Sequence, residues 1–207
     1  MSESPVRLAL ASASPRRVEL LAQLGIRCDQ VPADVDETQH PDESSAEMVE
    51  RLAVCKVVRA AEILGQTTPD LGGLYVAGGD TTVLCGGEIL GKPDDDNDAR
   101  RMLRLLSGRR HEVVSGIAVC SAVDCAIESA IEVTSVWFRP LTARDLSWYL
   151  SSGEHRGKAG SYGIQGAASV FVERVEGDYS SIVGLPLAGL DRLLNRFGRS
   201  LIEFGGA

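Results

Sequence analysis

The stretch from Leu74 to Pro93 limits the fold more than any other part of this chain. Leu74 to Ala77 lead in, Gly78-Gly79-Asp80-Thr81-Thr82-Val83-Leu84-Cys85 reads as a strand, Gly86-Gly87 as a turn and Glu88-Ile89-Leu90 as a returning strand. Two adjacent glycines supply the positive φ angles that a two-residue hairpin turn needs. The register then pairs Cys85 with Glu88, Val83 with Leu90 and Thr81 with Lys92, which sets Lys92 within about one residue of Asp80 across the ladder. An antiparallel hairpin is incompatible with a purely parallel sheet. Asp is depleted in strands, so Asp80 beside a paired lysine at a glycine-rich strand mouth is a candidate site. An exposed ion pair of small energetic weight would leave the same pattern.

Strands and helices alternate along the rest of the chain. Val6 to Ala11 reads as a strand, and Ser14 and Pro15 then suit the N-cap and first turn of a helix with Leu20, Leu21 and Leu24 on its apolar stripe and Gly25 as its stop. A second strand is expected near Cys28 to Pro32. Ser44 and Glu47 form a capping-box pattern ahead of a long helix, with Val49, Leu52, Ala53, Val57, Ala60, Ala61 and Leu64 at helical spacing and Gly65 closing it. Asp94 to Asp98 open a third helix, since acidic residues suit a helix start. His111 to Cys120 and Ala126 to Phe138 read as long strands, Thr142 to Leu150 as a short helix, Val170 to Val172 as a strand, and Pro186 to Phe197 as a last helix ended by Gly198. This order implies an α/β or α+β domain with a mixed sheet, of which the α/β class with helices flanking the sheet is the expectation. A single domain over 1–207 is expected, with room for two lobes around a cleft and with 198–207 as a peripheral tail.

Charge and cysteine usage narrow the function. A formal net charge of −8 argues against a surface for nucleic acid polymers, which needs a basic face. It leaves room for a phosphate ligand, which needs only local donors and cations. No apolar run has the length of a membrane span. The first residues, Met1-Ser2-Glu3-Ser4-Pro5, carry no signal pattern, and the five cysteines show no C-x-x-C spacing. Reduced thiols and a cytoplasmic location are therefore expected.

Four further places could carry chemistry. Ser12-Ala13-Ser14-Pro15-Arg16-Arg17 puts two hydroxyls and two guanidiniums at a helix N-terminus, where backbone N–H groups and the helix dipole favour an anion and arginine forks match phosphate oxygens. Lys56 falls on the apolar stripe of the long helix, so its ammonium either snorkels from the edge or points at an anion in a cavity. Gly153 to Gly166 holds five glycines with Lys158, Tyr162 and Gln165 among them, as expected where backbone approaches a ligand. Asp34, Asp36 and Glu37 suit either a metal or water-positioning site or a solvated loop.

Six motifs in order carry a family resemblance: Ser12-Ala13-Ser14-Pro15-Arg16-Arg17, Val35-Asp36-Glu37-Thr38, Gly79-Asp80-Thr81-Thr82, Gly87-Glu88-Ile89-Leu90-Gly91-Lys92-Pro93, Lys158 to Gly166, and Val183-Gly184-Leu185-Pro186-Leu187. The chain resembles the Maf (septum formation inhibitor) family of nucleoside triphosphate pyrophosphatases from about Leu8 to Phe197. The resemblance implies hydrolysis of a nucleoside triphosphate to its monophosphate and pyrophosphate with a divalent cation (Mg2+, Mn2+ or Co2+). It also implies an elongated mixed-sheet fold similar to that of inosine triphosphate pyrophosphatases, and a homodimer. Its functional positions fall on Ser12, Arg16, Arg17, Glu37, Lys56, Asp80, Lys92 and Gln165, with Asp80 as proton acceptor, Glu37 and Asp80 as metal ligands, and Lys158 among the substrate contacts. Arg16, Thr81 and Gln165 match the subgroup acting on dTTP and UTP, whereas the sibling subgroup acts on 7-methyl-GTP. Gly78 and Gly79 depart from the family's usual small residue, which suggests a looser loop there. The alternatives are the 7-methyl-GTP type, a nucleotide-binding division regulator, and a phosphatase releasing orthophosphate.

Overall fold

The computed structural model describes residues 6–205. Seven strands occur among them: β1 (Arg7–Leu10), β2 (Cys28–Gln30), β3 (Leu74–Cys85), β4 (Glu88–Leu90), β5 (Arg110–Ser121), β6 (Ile127–Phe138) and β7 (Val172–Glu176). They form one mixed sheet in the order β2-β1-β3-β5-β6-β7, with β4 paired to β3. β1 runs parallel to β2 and β3, while the β3–β4 and β6–β7 pairs are antiparallel. The helices are α1 (Pro15–Gln23), α2 (Ser45–Thr67), α3 (Asp96–Leu106), α4 (Ala143–Ser151), α5 (Tyr179–Val183) and α6 (Leu187–Arg196). None of the described helices is long and apolar enough to cross a membrane. The chain divides into two compact units: one takes residues up to Asp80, Ser115–Glu132 and those from Gly184 onward, the other Thr81–Val114 and Val133–Val183.

In the first unit, α1 begins at Pro15 as expected, with Ser14 at the N-cap but making no side-chain capping bond. Leu20 and Leu21 are buried, but Leu24 is 47% exposed: it is the C-cap, where the chain already leaves the helix before Gly25 turns at φ 73°. α2 opens on the Ser44/Glu47 capping box and buries Val49, Leu52, Ala53, Val57, Ala60 and Leu64. It runs past Gly65 to Thr67. Glycine ends a helix when it adopts the left-handed conformation, and Gly65 does not.

α2 lies close on the sheet because two strand residues lack side chains. A Cβ on Gly116 would fall 2.2 Å from the Val49 carbonyl oxygen, and one on Gly78 2.7 Å from Val57 Cγ1. Gly78 and Gly79, expected to loosen a loop, are instead buried residues of β3. Residues 199–205 pack rather than trailing at the periphery. Leu201 and Phe204 are buried, Phe204 meets Tyr75 edge-on, Asp191 Oδ1 accepts from the Leu201 N–H at 2.7 Å, and Gly205 bridges Ile26.

In the second unit the hairpin register is the expected one, Cys85 opposite Glu88 and Val83 opposite Leu90. Gly86 and Gly87 turn at φ 60° and 84°. Asp95 caps α3, its Oδ1 accepting from the Asn97 and Asp98 N–H groups, so the acidic run is a helix start. Residues Ala167–Phe171 form a 3-10 turn where a strand was expected, and β7 begins only at Val172. Ala168 and Phe171 are buried while Val170 is 53% exposed, a spacing of three that a helical turn satisfies and a strand does not. On β6, Val136 and Phe138 face the core, whereas Ile131 and Val133 are partly solvent-exposed.

Candidate active site

Six of the residues singled out from the sequence, Ser12, Arg16, Arg17, Glu37, Lys56 and Asp80, meet in the first unit. Asp80 lies on β3 two residues after Gly78, so both point to the same face of the strand. That is the face against which α2 packs, and Lys56 of α2 reaches it. The Lys56 ammonium lies 2.6 Å from Asp80 Oδ1 and 2.6 Å from Glu37 Oε1. Lys56 is only 7% exposed, so this is a desolvated cation between two acids and not a snorkelling side chain. An ammonium in such a place is retained only when opposite charge compensates it.

Arg17 is held from two sides. Its Nε donates to the Gly184 carbonyl oxygen at 2.7 Å and its Nη1 to Ser12 Oγ at 3.1 Å. Ser12 Oγ also accepts from the Ser14 N–H at 3.1 Å, which fixes the hydroxyl with its proton available to donate outward. Desolvation draws the Arg17 guanidinium below the ordinary arginine pKa; Asp80 opposes that shift, Arg16 adds to it and Glu37 opposes it more weakly. Arg16, Arg17, Asp80 and Glu37 therefore share one electrostatic neighbourhood. Three cations against two carboxylates make it locally positive on a chain of net charge −8.

Glu37 and Asp80 both face the point that the Lys56 ammonium occupies, so a divalent cation between them would have to lie beside that ammonium and use their remaining oxygens. No group of three or more His, Cys, Asp or Glu suited to a metal occurs among the described residues. A cation there would complete its shell from phosphate oxygens and water, as Mg2+ commonly does. The donor set fits. Of the other acids in that loop, Asp36 is taken up locally, its Oδ1 accepting from the Thr38 N–H at 2.9 Å, and Asp34 is exposed.

Thr81, Lys92, Lys158 and Gln165 belong to the second unit. Thr81 follows Asp80 on β3 and is half-buried; Lys92 follows β4 and is exposed. Lys158 Nζ donates to the Glu154 carbonyl oxygen, and its stem fills the space beside Gly163. Gln165 is exposed between the buried residues Ile164 and Ala168. The glycine-rich stretch is no slack loop: the Gly160 N–H donates to the Gly91 carbonyl oxygen at 3.0 Å, and the Ala167 N–H to Glu154 Oε2 at 2.9 Å. A depression of ≈ 560 Å³ in this unit is lined by Asp94, Asp95, Asp96 and His155 among others. Its acidic wall is unsuited to a polyanion.

One participant is missing from the site residues read off the sequence, the Gly184 carbonyl that orients Arg17. The Val183–Leu187 motif flagged the place without a role, because a backbone acceptor leaves no side-chain signature.

Comparison with known proteins bears on this geometry. A family model described as Maf-like protein matches residues 7–197. A protein of Hahella chejuensis described as dTTP/UTP pyrophosphatase is 49% identical over 192 residues, covering 93% of this chain and 92% of that protein. Proteins with the same description from Photobacterium profundum (42% over 194 residues, 94% of this chain and 98% of that one) and Chromobacterium violaceum (42% over 201 residues, 97% and 100%) are similar along nearly their whole length.

Proposed function

The chain belongs to the Maf family, and from that premise we propose that it is a nucleoside triphosphate pyrophosphatase converting dTTP and UTP to their monophosphates and pyrophosphate. The observation that carries the chemistry is the Lys56 ammonium held 2.6 Å from both Glu37 and Asp80, in the neighbourhood of Arg17. The activity by which the relatives are described supplies the substrate class.

Hydrolysis of a phosphoanhydride needs neutralised charge, a positioned water and a proton acceptor. Ser12 donates from its hydroxyl, and Arg16 and Arg17 present guanidinium N–H groups to phosphate oxygens, Arg17 pre-oriented by Gly184. Lys56 stabilises negative charge beside the acids, and Lys92 adds a further cation. Asp80 accepts the proton of the attacking water. A divalent cation on Glu37 and Asp80 would supply Lewis-acid stabilisation of the phosphate oxygens. Gln165 carries both a donor and an acceptor and pairs with the O4/N3–H edge of uracil or thymine, with Thr81 and Arg16 as the other marks of this specificity. A homodimer working in the cytoplasm completes the reading.

The test is a pyrophosphate-release assay across dTTP, UTP, CTP, GTP and 7-methyl-GTP with Mg2+ or Mn2+. Highest kcat/KM on dTTP and UTP is expected; preference for 7-methyl-GTP would overturn the substrate assignment.

A further inference from the structure

The second unit contains a buried polar pair that the chemistry above does not use. His111, at the start of β5, is 1% exposed, and its Nε2 lies 2.9 Å from the hydroxyl of Tyr162, itself 6% exposed. Both rings pack edge-to-face on Phe138, at centroid distances of 4.9 and 4.8 Å. Phenylalanine at both positions would serve packing alone. The bond satisfies the buried hydroxyl and the Nε2 side of the imidazole, while His111 Nδ1 is buried without a hydrogen-bond partner, and such a bond fixes one geometry where apolar contact accepts several.

What the pair fixes is the segment presenting Gln165. Tyr162 stands three residues before it. Next to Tyr162, the Gly163 N–H donates to the hydroxyl of the buried Tyr149 on α4 at 3.3 Å. Beyond Gln165, the Gly166 N–H returns to the Gly163 carbonyl oxygen at 3.1 Å. The backbone is therefore tied on both sides of an exposed amide.

We propose that His111 and Tyr162, with Tyr149, are positioning residues for pyrimidine discrimination: they fix the backbone from which Gln165 reads the 4-oxo edge of uracil or thymine. This rests on the base-reading role given to Gln165. The physical reason is that a glutamine amide, rotated by half a turn, offers its donor and acceptor in the opposite order and suits the amino edge of cytosine equally well. Selectivity then depends on where the amide can reach, and a fixed backbone sets that reach. It also removes ordering that would otherwise accompany base binding.

The experiment measures kcat and KM for dTTP and CTP in Tyr162→Phe, His111→Phe, the double variant and His111→Gln. Tyr162→Phe and His111→Phe each lower the dTTP/CTP ratio of kcat/KM by about tenfold, mostly through a higher KM for dTTP. The double variant loses no more than either single one, as expected for two ends of one bond. His111→Gln, which keeps a hydrogen-bonding group near Nε2, recovers most of the ratio. An unchanged ratio in folded Tyr162→Phe overturns the proposal, as does an equal fall of kcat on both nucleotides. Tyr149→Phe, which removes the acceptor of the Gly163 N–H, gives an independent second reading with the same expected direction. Gln165→Ala separates the two levels: if it abolishes discrimination while Tyr162→Phe does not, only the positioning role falls. If Gln165→Ala leaves the ratio unchanged, base reading by Gln165 falls and the positioning role with it.

Discussion

The charged cluster around Lys56 and the loop from Lys158 to Gly166, to which the proposed function gives the phosphates and the base, are held by opposite means. In the first, opposite charges fix one another: one ammonium serves two carboxylates, and one guanidinium is tied to a hydroxyl and a backbone carbonyl. In the second, the exposed Gln165 carries no charge and is supported by aromatic rings, one buried imidazole and backbone hydrogen bonds. The difference teaches where each kind of change should register. Damage to the cluster should slow reaction on every nucleotide alike, because phosphates are common to all. Damage to the loop's support should change the ratio between bases or the stability of the fold.

The largest effect is expected at Asp80. Asp80→Asn lowers turnover by roughly a hundredfold or more, equally on dTTP and CTP, while dTTP binding measured by calorimetry survives. Near-normal turnover would remove Asp80 from the chemistry. Lys56→Met follows: the protein folds, and turnover falls by tens to hundreds of times on all bases, the order expected for losing one charge-stabilising group. Full activity with a lowered thermal midpoint would mean that the ammonium only bridges two acids.

Stability separates the regions in a different way. Burial lowers the His111 pKa from 6.5 to about 4, so between these values the unfolded chain binds a proton that the folded one does not. Stability is therefore complete above pH 6.5 and is lost as pH falls toward 4, by up to about 3 kcal/mol from this residue. Urea unfolding followed against pH should show the slope, and His111→Phe should flatten it. Depressed acids such as Glu43, lowered to about 2, act mostly below that window. A further stability effect is expected at Gly116, where a Cβ would fall 2.2 Å from the Val49 carbonyl oxygen. Gly116→Ala presses a methyl against the α2 backbone and costs about 1–3 kcal/mol, with turnover falling on all bases as Lys56 shifts from Asp80.

Much of this was legible in the amino-acid order. The Gly86-Gly87 turn fixed the β3–β4 register, and periodicity placed Lys56 on the buried face of α2, because local chemistry decides both. Spacing could not decide between snorkelling and pairing for Lys56, since its partner Asp80 lies 24 residues away in sequence. The same limit hid the Gly184 carbonyl behind Arg17, and the role of Gly78 and Gly116 in seating α2: a missing side chain gains meaning only beside what occupies its space. Around Val170 the β-branched residues favoured a strand, and the burial of Ala168 and Phe171 at a spacing of three won instead.

The most direct test is the product formed by the intact protein from dTTP with Mg2+. The account predicts one pyrophosphate for each dTMP and no orthophosphate. Release of orthophosphate with dTDP, or bound dTTP left unchanged, would contradict it.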